Sequence, residues 1–157
     1  MKLRPATRAD AEALAAVHAA AFDAPWSADD IVRFAEDRGG FALAAEMDDG
    51  DGIAGFILCR AIAGEAEILT LAVAPAHRRR GLASALVETA AAVAAESAEA
   101  MFLEVAEDNP GALALYQRLG FAIAGRRAGY YGRPAGGAVD AIVMRRALNS
   151  GGAAPYP

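Results

Sequence analysis

A single cysteine, Cys59, stands among 157 residues, so no disulfide can form within the chain. Its setting, GFILCR, marks it as a small buried hydrophobe rather than a reactive thiol. Two histidines, His18 and His77, with that one cysteine make no metal-ligand constellation, and no metal is expected. No apolar run approaches the roughly 18 residues that cross a bilayer. The opening stretch, MKLRPATRADAEAL, meets Asp10 and Glu12 before any apolar segment develops, which is unlike a secretory signal. A cytoplasmic protein with no membrane attachment is the expectation. Positive charge is in deficit, 15 Lys and Arg against 20 Asp and Glu, for a formal net charge of −5. That balance argues against direct nucleic-acid binding and for a basic partner. What is present suffices for one domain: 55% of residues are hydrophobic, many of them alanine.

The chain divides into short elements with readable ends and no internal repeat. KLRPAT is a strand. Thr7 and Asp10 form a capping pair for a helix over Ala9 to Phe22, with Leu14, Val17 and Ala21 on one face. Ser27 caps a second, amphipathic helix. GFALAAEM and GIAGFILCRA are strands joined by the turn DDGDG. EAEILTLAVAP is a third strand, stopped by Pro75. A helix is predicted from Leu82 to Ser97, a strand from Ala100 to Val105, and a helix from Pro110 to Leu119 with Gly120 just beyond. FAIAGRR and VDAIVMRRAL close as strands. The order predicts an α/β domain over residues 1–148, a mixed, mostly antiparallel sheet flanked by helices. NSGGAAPYP, from residue 149 to 157, is expected to be a disordered tail.

One stretch runs against the acidic composition. HRRRGLASAL places Arg78, Arg79 and Arg80 before Gly81 and the start of a helix. Arginine runs are commonly solvated faces. Yet the first turn of a helix leaves backbone N–H groups unpaired, and the macrodipole adds about half a positive charge there. Gly81 and Ala83 keep that turn bare, and three guanidinium forks stand beside it, so the stretch also reads as a seat for a phosphate or pyrophosphate. It matches neither of the common phosphate loops. In MFLEVAEDN, alternation sets Phe102, Glu104 and Ala106 on one face and Met101, Leu103 and Val105 on the other. Glu104 in so apolar a strand is either at a solvated edge or paired, hydrated and used. In NPGALALYQRLGF, Asn109 and Pro110 suit N-cap and N1, and Tyr116 shares a face with Ala112, Leu115 and Leu119, where a core tyrosine is the plain reading.

Taken together, LAVAPAHRRRGLASAL followed by LEVAEDNPGALALYQRLGF resembles the GCN5-related N-acetyltransferase (GNAT) superfamily, over about residues 2 to 147. APWS, LEV, ALYQRLGF and YYGRPAGGAVDAIVM narrow the likeness to its members that acetylate the N-terminal alanine of a small-subunit ribosomal protein. The resemblance implies acetyl-CoA as cosubstrate. It implies that the turn Arg78, Arg79, Arg80, Gly81, Leu82, Ala83, Ser84 holds the CoA pyrophosphate. Leu71, Ala72 and Val73 would meet the pantetheine arm along the strand edge, and Asn109 would bond the same arm while capping its helix. Glu104 would be the general base and Tyr116 the acid at the sulfur. Trp26, Tyr130 and Tyr131 would line the acceptor site. Departures are Ala83 for a more familiar glycine, Arg78 where glutamine is common, Gly129 where asparagine is expected, and Val139 where an acidic residue is frequent.

The implied reaction is direct transfer in a ternary complex, with Cys59 outside the matched catalytic stretches. An α-amine of pKa near 7.7–8.0 is roughly a tenth to a fifth neutral at pH 7, whereas a lysine near 10.4 begins about 3.5 kcal/mol worse off. An ordinary phenol near 10 lies above a thiol near 8.5, so Tyr116 is expected to donate late. The acceptor would be a protein N-terminus, on a basic ribosomal protein, with Asp29, Asp30 and Asp140 as candidates for added attraction. Acetylation of a lysine or small amine remains an alternative. So does a non-catalytic acetyl-CoA-binding module, which would need neither Glu104 nor Tyr116.

Overall fold

A computed structural model describes residues 1–133 and 135–148; the expected tail, 149–157, lies outside the described residues. Seven strands, β1 (Lys2–Pro5), β2 (Gly40–Glu46), β3 (Ile53–Ile62), β4 (Glu65–Val73), β5 (Ala100–Ala106), β6 (Ala122–Gly132) and β7 (Ala138–Ala147), form one sheet in the order β1-β2-β3-β4-β5-β7-β6. Only the β4–β5 pairing is parallel. The expected mixed, mostly antiparallel sheet is what forms.

Helices α1 (Ala11–Ala21) and α2 (Ala28–Glu36) cover one face, where Leu14, Val17 and Ile31 meet Ala42, Ala44, Phe56 and Leu58. Helix α3 (Leu82–Ala94) covers the other: Leu82, Leu86, Val87, Ala90 and Ala94, at helical spacing, pack on Ile57, Cys59, Met101, Leu103 and Met144. The alanines on α3 let the helix approach the sheet closely. Helix α4 (Pro110–Arg118) adds Tyr116 to that core.

Two helix ends differ from expectation. The first helix starts with a 3-10 turn, Arg8–Asp10, before α1. There the Asp10 carboxylate accepts the Thr7 N–H at 2.8 Å and both terminal nitrogens of Arg4 at 2.8 and 2.9 Å. Helix α3 ends at Ala94 rather than Ser97, because the Glu96 and Ser97 N–H groups bond three residues back and tighten the last turn. Ser27 caps α2 as predicted, accepting the Asp30 N–H at 3.1 Å.

The feature that shapes the site is the parting of β4 from β5. Their register runs only from Glu65↔Ala100 to Glu67↔Phe102. A β-bulge lies just beyond: Leu58 opposes Thr70 and Cys59 opposes Ile68, leaving Leu69 extra on β4. Ala66 and Ile68 face α3 before the bulge; after it, Leu71 and Val73 do, while Ala72 turns to the α1–α2 side. A bulge bends and twists its strand, and here it carries β4 away from its neighbour.

Arg4 and Asp10 are mostly buried, and the Arg4 guanidinium, with the Thr7 N–H, holds the Asp10 carboxyl well below the usual carboxylate range. A depressed carboxylate contributes stability that is present above its unfolded pKa and fades as pH falls toward the folded one. Asp10→Asn is therefore expected to cost about 1–3 kcal/mol in urea unfolding at pH 7. The penalty should shrink progressively below about pH 4.

Candidate active site

Beyond Glu67, β4 has a strand on one side only. The Ala74 N–H donates to Ala54 O at 2.7 Å, toward β3. By strand alternation the backbone groups of Ala72 point the same way, and those of Leu71 and Val73 point into the opening toward β5. An unpaired row of N–H and C=O groups in a partly apolar slot calls for a partner with amides of its own.

At one end of this opening lies the arginine turn. Arg79 and Gly81 both take the left-handed conformation, φ 64° and 79°, which bends the chain into α3. The first intrahelical bond is Ala85 N–H to Gly81 O at 3.0 Å, so the N–H groups of Leu82, Ala83 and Ser84 have no partner within the helix. A Cβ at Gly81 would meet nothing within 4 Å, so glycine is required there by its φ and not by crowding. Arg78, Arg79 and Arg80 enter no ion pair among the described residues. These features fit a pyrophosphate, and the slot fits an arm bearing amides.

On the α1–α2 side of the sheet, the strands open into a cleft of about 420 Å³ lined by Glu104, Arg127, Glu67, Arg60, Phe102 and Val143. That volume is within the range of small-molecule sites. Strand β5 lies between β4 and β7 in the sheet, but Glu104 stands past the last β4–β5 pair, Glu67↔Phe102, and pairs only with Val143 of β7. Its side chain is 19% exposed, and Oε1 lies 3.0 Å from Arg127 Nε. Arg127 also lies over the Tyr130 ring, 5.2 Å from its centre, and Tyr130 meets Tyr131 edge-on at 5.1 Å. Burial, with the nearby Glu104 charge, pushes the Tyr131 phenol up. Glu104, Tyr130 and Tyr131 are thus brought together, with Arg127 joining them. Trp26 stands on the α1–α2 connection, packed on His18 and Phe34.

Tyr116 is buried on the opposite face, edge-on to Phe121, with its phenol pushed up to about 12 by burial and by proximity to Cys59. That shift makes the proton harder to give up than in an ordinary phenol, in keeping with late donation. Tyr116 is a neutral hydrogen-bond donor at every working pH. Asn109 caps α4, accepting the Ala112 N–H at 3.2 Å. Cys59 is fully buried, its thiol pushed up to about 12 by desolvation.

The expected electrostatic role of two aspartates needs correction. Asp140 accepts the Gly129 N–H at 2.9 Å and Arg126 at 2.9 Å, which steadies the irregular register of β6 between Arg127 and Tyr131. Asp30 pairs with Arg33. Both charges are engaged in the fold's own bonds. Gly129 itself has φ 61°, a conformation that asparagine and glycine share, which accounts for the departure at that position. Arg127, Arg60 and Glu67 were not singled out from the sequence. In a strand of alternating character they look like ordinary solvated residues, and only the cleft gathers them.

A sheet parted at its centre, a bare helix start flanked by unpaired guanidinium groups and a carboxylate across the opening define an acyltransferase that takes its acyl group from a CoA thioester. The chain belongs to the acetyltransferase (GNAT) family, whose match spans residues 11–121, and is an acetyl-CoA-dependent N-acetyltransferase. It is 33% identical over 121 residues to the ribosomal protein bS18-alanine N-acetyltransferase of Escherichia coli K12, covering 76% of this chain and 79% of that one. The enzyme of the same name from Haemophilus influenzae is 28% identical over 86% of this chain and 90% of its own. The crystal structure of the Escherichia coli ribosomal-protein-S18-alanine N-acetyltransferase superposes with a TM-score of 0.83 at 28% identity, over 99% of this chain and 98% of that one. Arabidopsis thaliana NAA60 with a bisubstrate analogue shares the fold, with a TM-score of 0.82 over 96% and 99% of the two chains at 22% identity. No helix among the described residues is long and apolar enough to cross a membrane.

The burial of Cys59 and Tyr116 is open to direct measurement. A disulfide reagent at pH 8 is expected to label Cys59 only after unfolding. Ultraviolet titration should find one phenol ionising near pH 12 in the wild type and missing in Tyr116→Phe.

Proposed function

We propose that this acetyltransferase modifies the N-terminal α-amine of a protein, with alanine as first residue and a basic ribosomal protein as acceptor, as the names of its relatives suggest. The observation that carries this reading is the placement of Glu104. It is an acidic side chain lining the cleft, linked through Arg127 to Tyr130 and Tyr131. Its Oε1 is engaged by Arg127, and its other oxygen is free to order a water that takes the amine proton. An α-amine, already partly neutral at pH 7, asks less of such a base than a lysine does.

In this reading residues 1–148 are a single catalytic domain. Arg78, Arg79, Arg80, Gly81, Leu82, Ala83 and Ser84 hold the pyrophosphate, and Leu71, Ala72, Val73 and Asn109 hold the arm that follows. Acetyl-CoA supplies the activated acyl group. The Val73 N–H, directed into the opening, donates to the carbonyl oxygen as negative charge develops there. Glu104 receives the amine proton through water. Tyr116 hydrogen-bonds the departing sulfur and donates its proton to it late. Trp26, Tyr130 and Tyr131 offer flat surfaces to an extended peptide and to cationic side chains on it.

A short alanine-first peptide with basic residues following is expected to gain one acetyl group on its α-amine, read by intact mass. The same peptide with its amine blocked should gain none; equal acetylation of both would promote the lysine alternative. Glu104→Gln should bind acetyl-CoA normally and lose about 10²–10⁴ in turnover. Calorimetry on Gly81→Ala and Gly81→Asp should separate strain from charge. Both strain φ, but only the aspartate sets an anion against the pyrophosphate and should weaken acetyl-CoA binding at least about a hundredfold.

A further inference from the structure

Buried His18 bonds both the Trp26 segment and strand β4. It lies in the last turn of α1 and is 2% exposed. Its Nδ1 accepts the backbone N–H of Trp26 at 3.1 Å, and its Nε2 lies 3.1 Å from Thr70 Oγ1. The first bond settles the tautomer: an N–H donor at Nδ1 requires a lone pair there, so Nε2 carries the proton and donates to the threonine. Burial holds the ring below its ordinary pKa, which keeps it neutral. Phe22 stacks on the ring at 4.3 Å and 17°, and Trp26 at 5.6 Å and 28°.

The two partners come from distant parts of the chain. Trp26 belongs to the connection between α1 and α2. Thr70 lies between the bulge residue Leu69 and Leu71, whose backbone faces the opening. An apolar residue would fill the space His18 fills, but it would leave the Trp26 N–H and the Thr70 hydroxyl without these partners. We infer that His18 is a positioning residue for the acceptor, fixing the Trp26 segment against the strand that carries the acetyl donor. This rests on the reading above that Trp26 lines the acceptor site.

Asparagine and glutamine divide the ring's two bonds. Asn carries an acceptor oxygen where Nδ1 sits and can keep the Trp26 bond; Gln carries an amide nitrogen where Nε2 sits and can keep only the Thr70 bond. With the full chain and the alanine-first peptide, His18→Gln is expected to raise the acceptor KM about tenfold with kcat nearly unchanged. His18→Asn should stay within about threefold of wild type by the same hydrogen-bond reasoning. Acetyl-CoA affinity, by calorimetry, should be the same in all three. Trp26 is the sole tryptophan, so its emission reports this segment directly: red-shifted in His18→Gln and unshifted in His18→Asn. Equal KM and equal emission in the two variants would return His18 to a packing role. Should His18→Gln fail to fold, His18→Leu, which fills the space and makes neither bond, takes its place, and an unchanged acceptor KM there would overturn the inference. If even the wild type leaves the peptide unmodified, the acceptor reading fails, and the emission difference alone decides whether His18 holds Trp26.

Discussion

Two neighbouring parallel strands that cannot stay paired set the terms for everything else in this molecule. β4 and β5 hold register for three residue pairs and then separate, because the extra residue at Leu69 turns β4 out of the plane its neighbour follows. The connection between them, carrying α3, must cross one face of the sheet to return parallel. Its helix therefore starts beside the end of β4, where the strands have opened. A strand edge with unsatisfied amides, a helix start with unsatisfied N–H groups and the Glu104 carboxylate come together for this one reason. On the α3 side lies the buried core that includes Tyr116; on the other the opening becomes the cleft around Glu104.

The charges are distributed to match. Most arginines near the site are committed: Arg4 to Asp10 and Glu46, Arg126 to Glu107 and Asp140, Arg127 to Glu104, Arg133 to Asp108. Arg78–Arg80 enter no ion pair among the described residues. A chain with a net charge of −5 thus keeps one concentrated positive surface, at a helix start where the backbone dipole adds to it. The catalytic side is organised differently, by a chain of contacts from Glu104 through Arg127 to Tyr130 and Tyr131. The Trp26 segment and β4 meet at His18, which bonds to both.

Much of this was legible beforehand where a local rule governs. The Ser27 cap, the Asn109–Pro110 helix start and the strand alternation around Glu104 are patterns that a few residues settle among themselves. The motif Arg78–Ser84 could be read because a phosphate seat is built from consecutive residues. Helix ends were less legible: Ala94 ends α3 because the following N–H groups bond three residues back, a choice made by the docking of Ala98 and Ala100 into the core. The bulge at Leu69 left no signal, since every residue from Ile68 to Val73 except Thr70 is apolar and either face could take it.

By itself the sequence determined the order of elements, the bare arginine–glycine turn before α3 and the face of β5 that carries Glu104, all properties of short segments whose chemistry is carried in their own residues. Only the tertiary structure decided that Glu104 stands where β5 has parted from β4, that Arg127 engages it and that Asp140 serves a turn. It also buried the Tyr116 phenol, which pushes it up. Each of those outcomes depends on which strand lies beside which and on how much water is left between them. Such facts belong to pairs of residues far apart in the chain, and no local pattern encodes them.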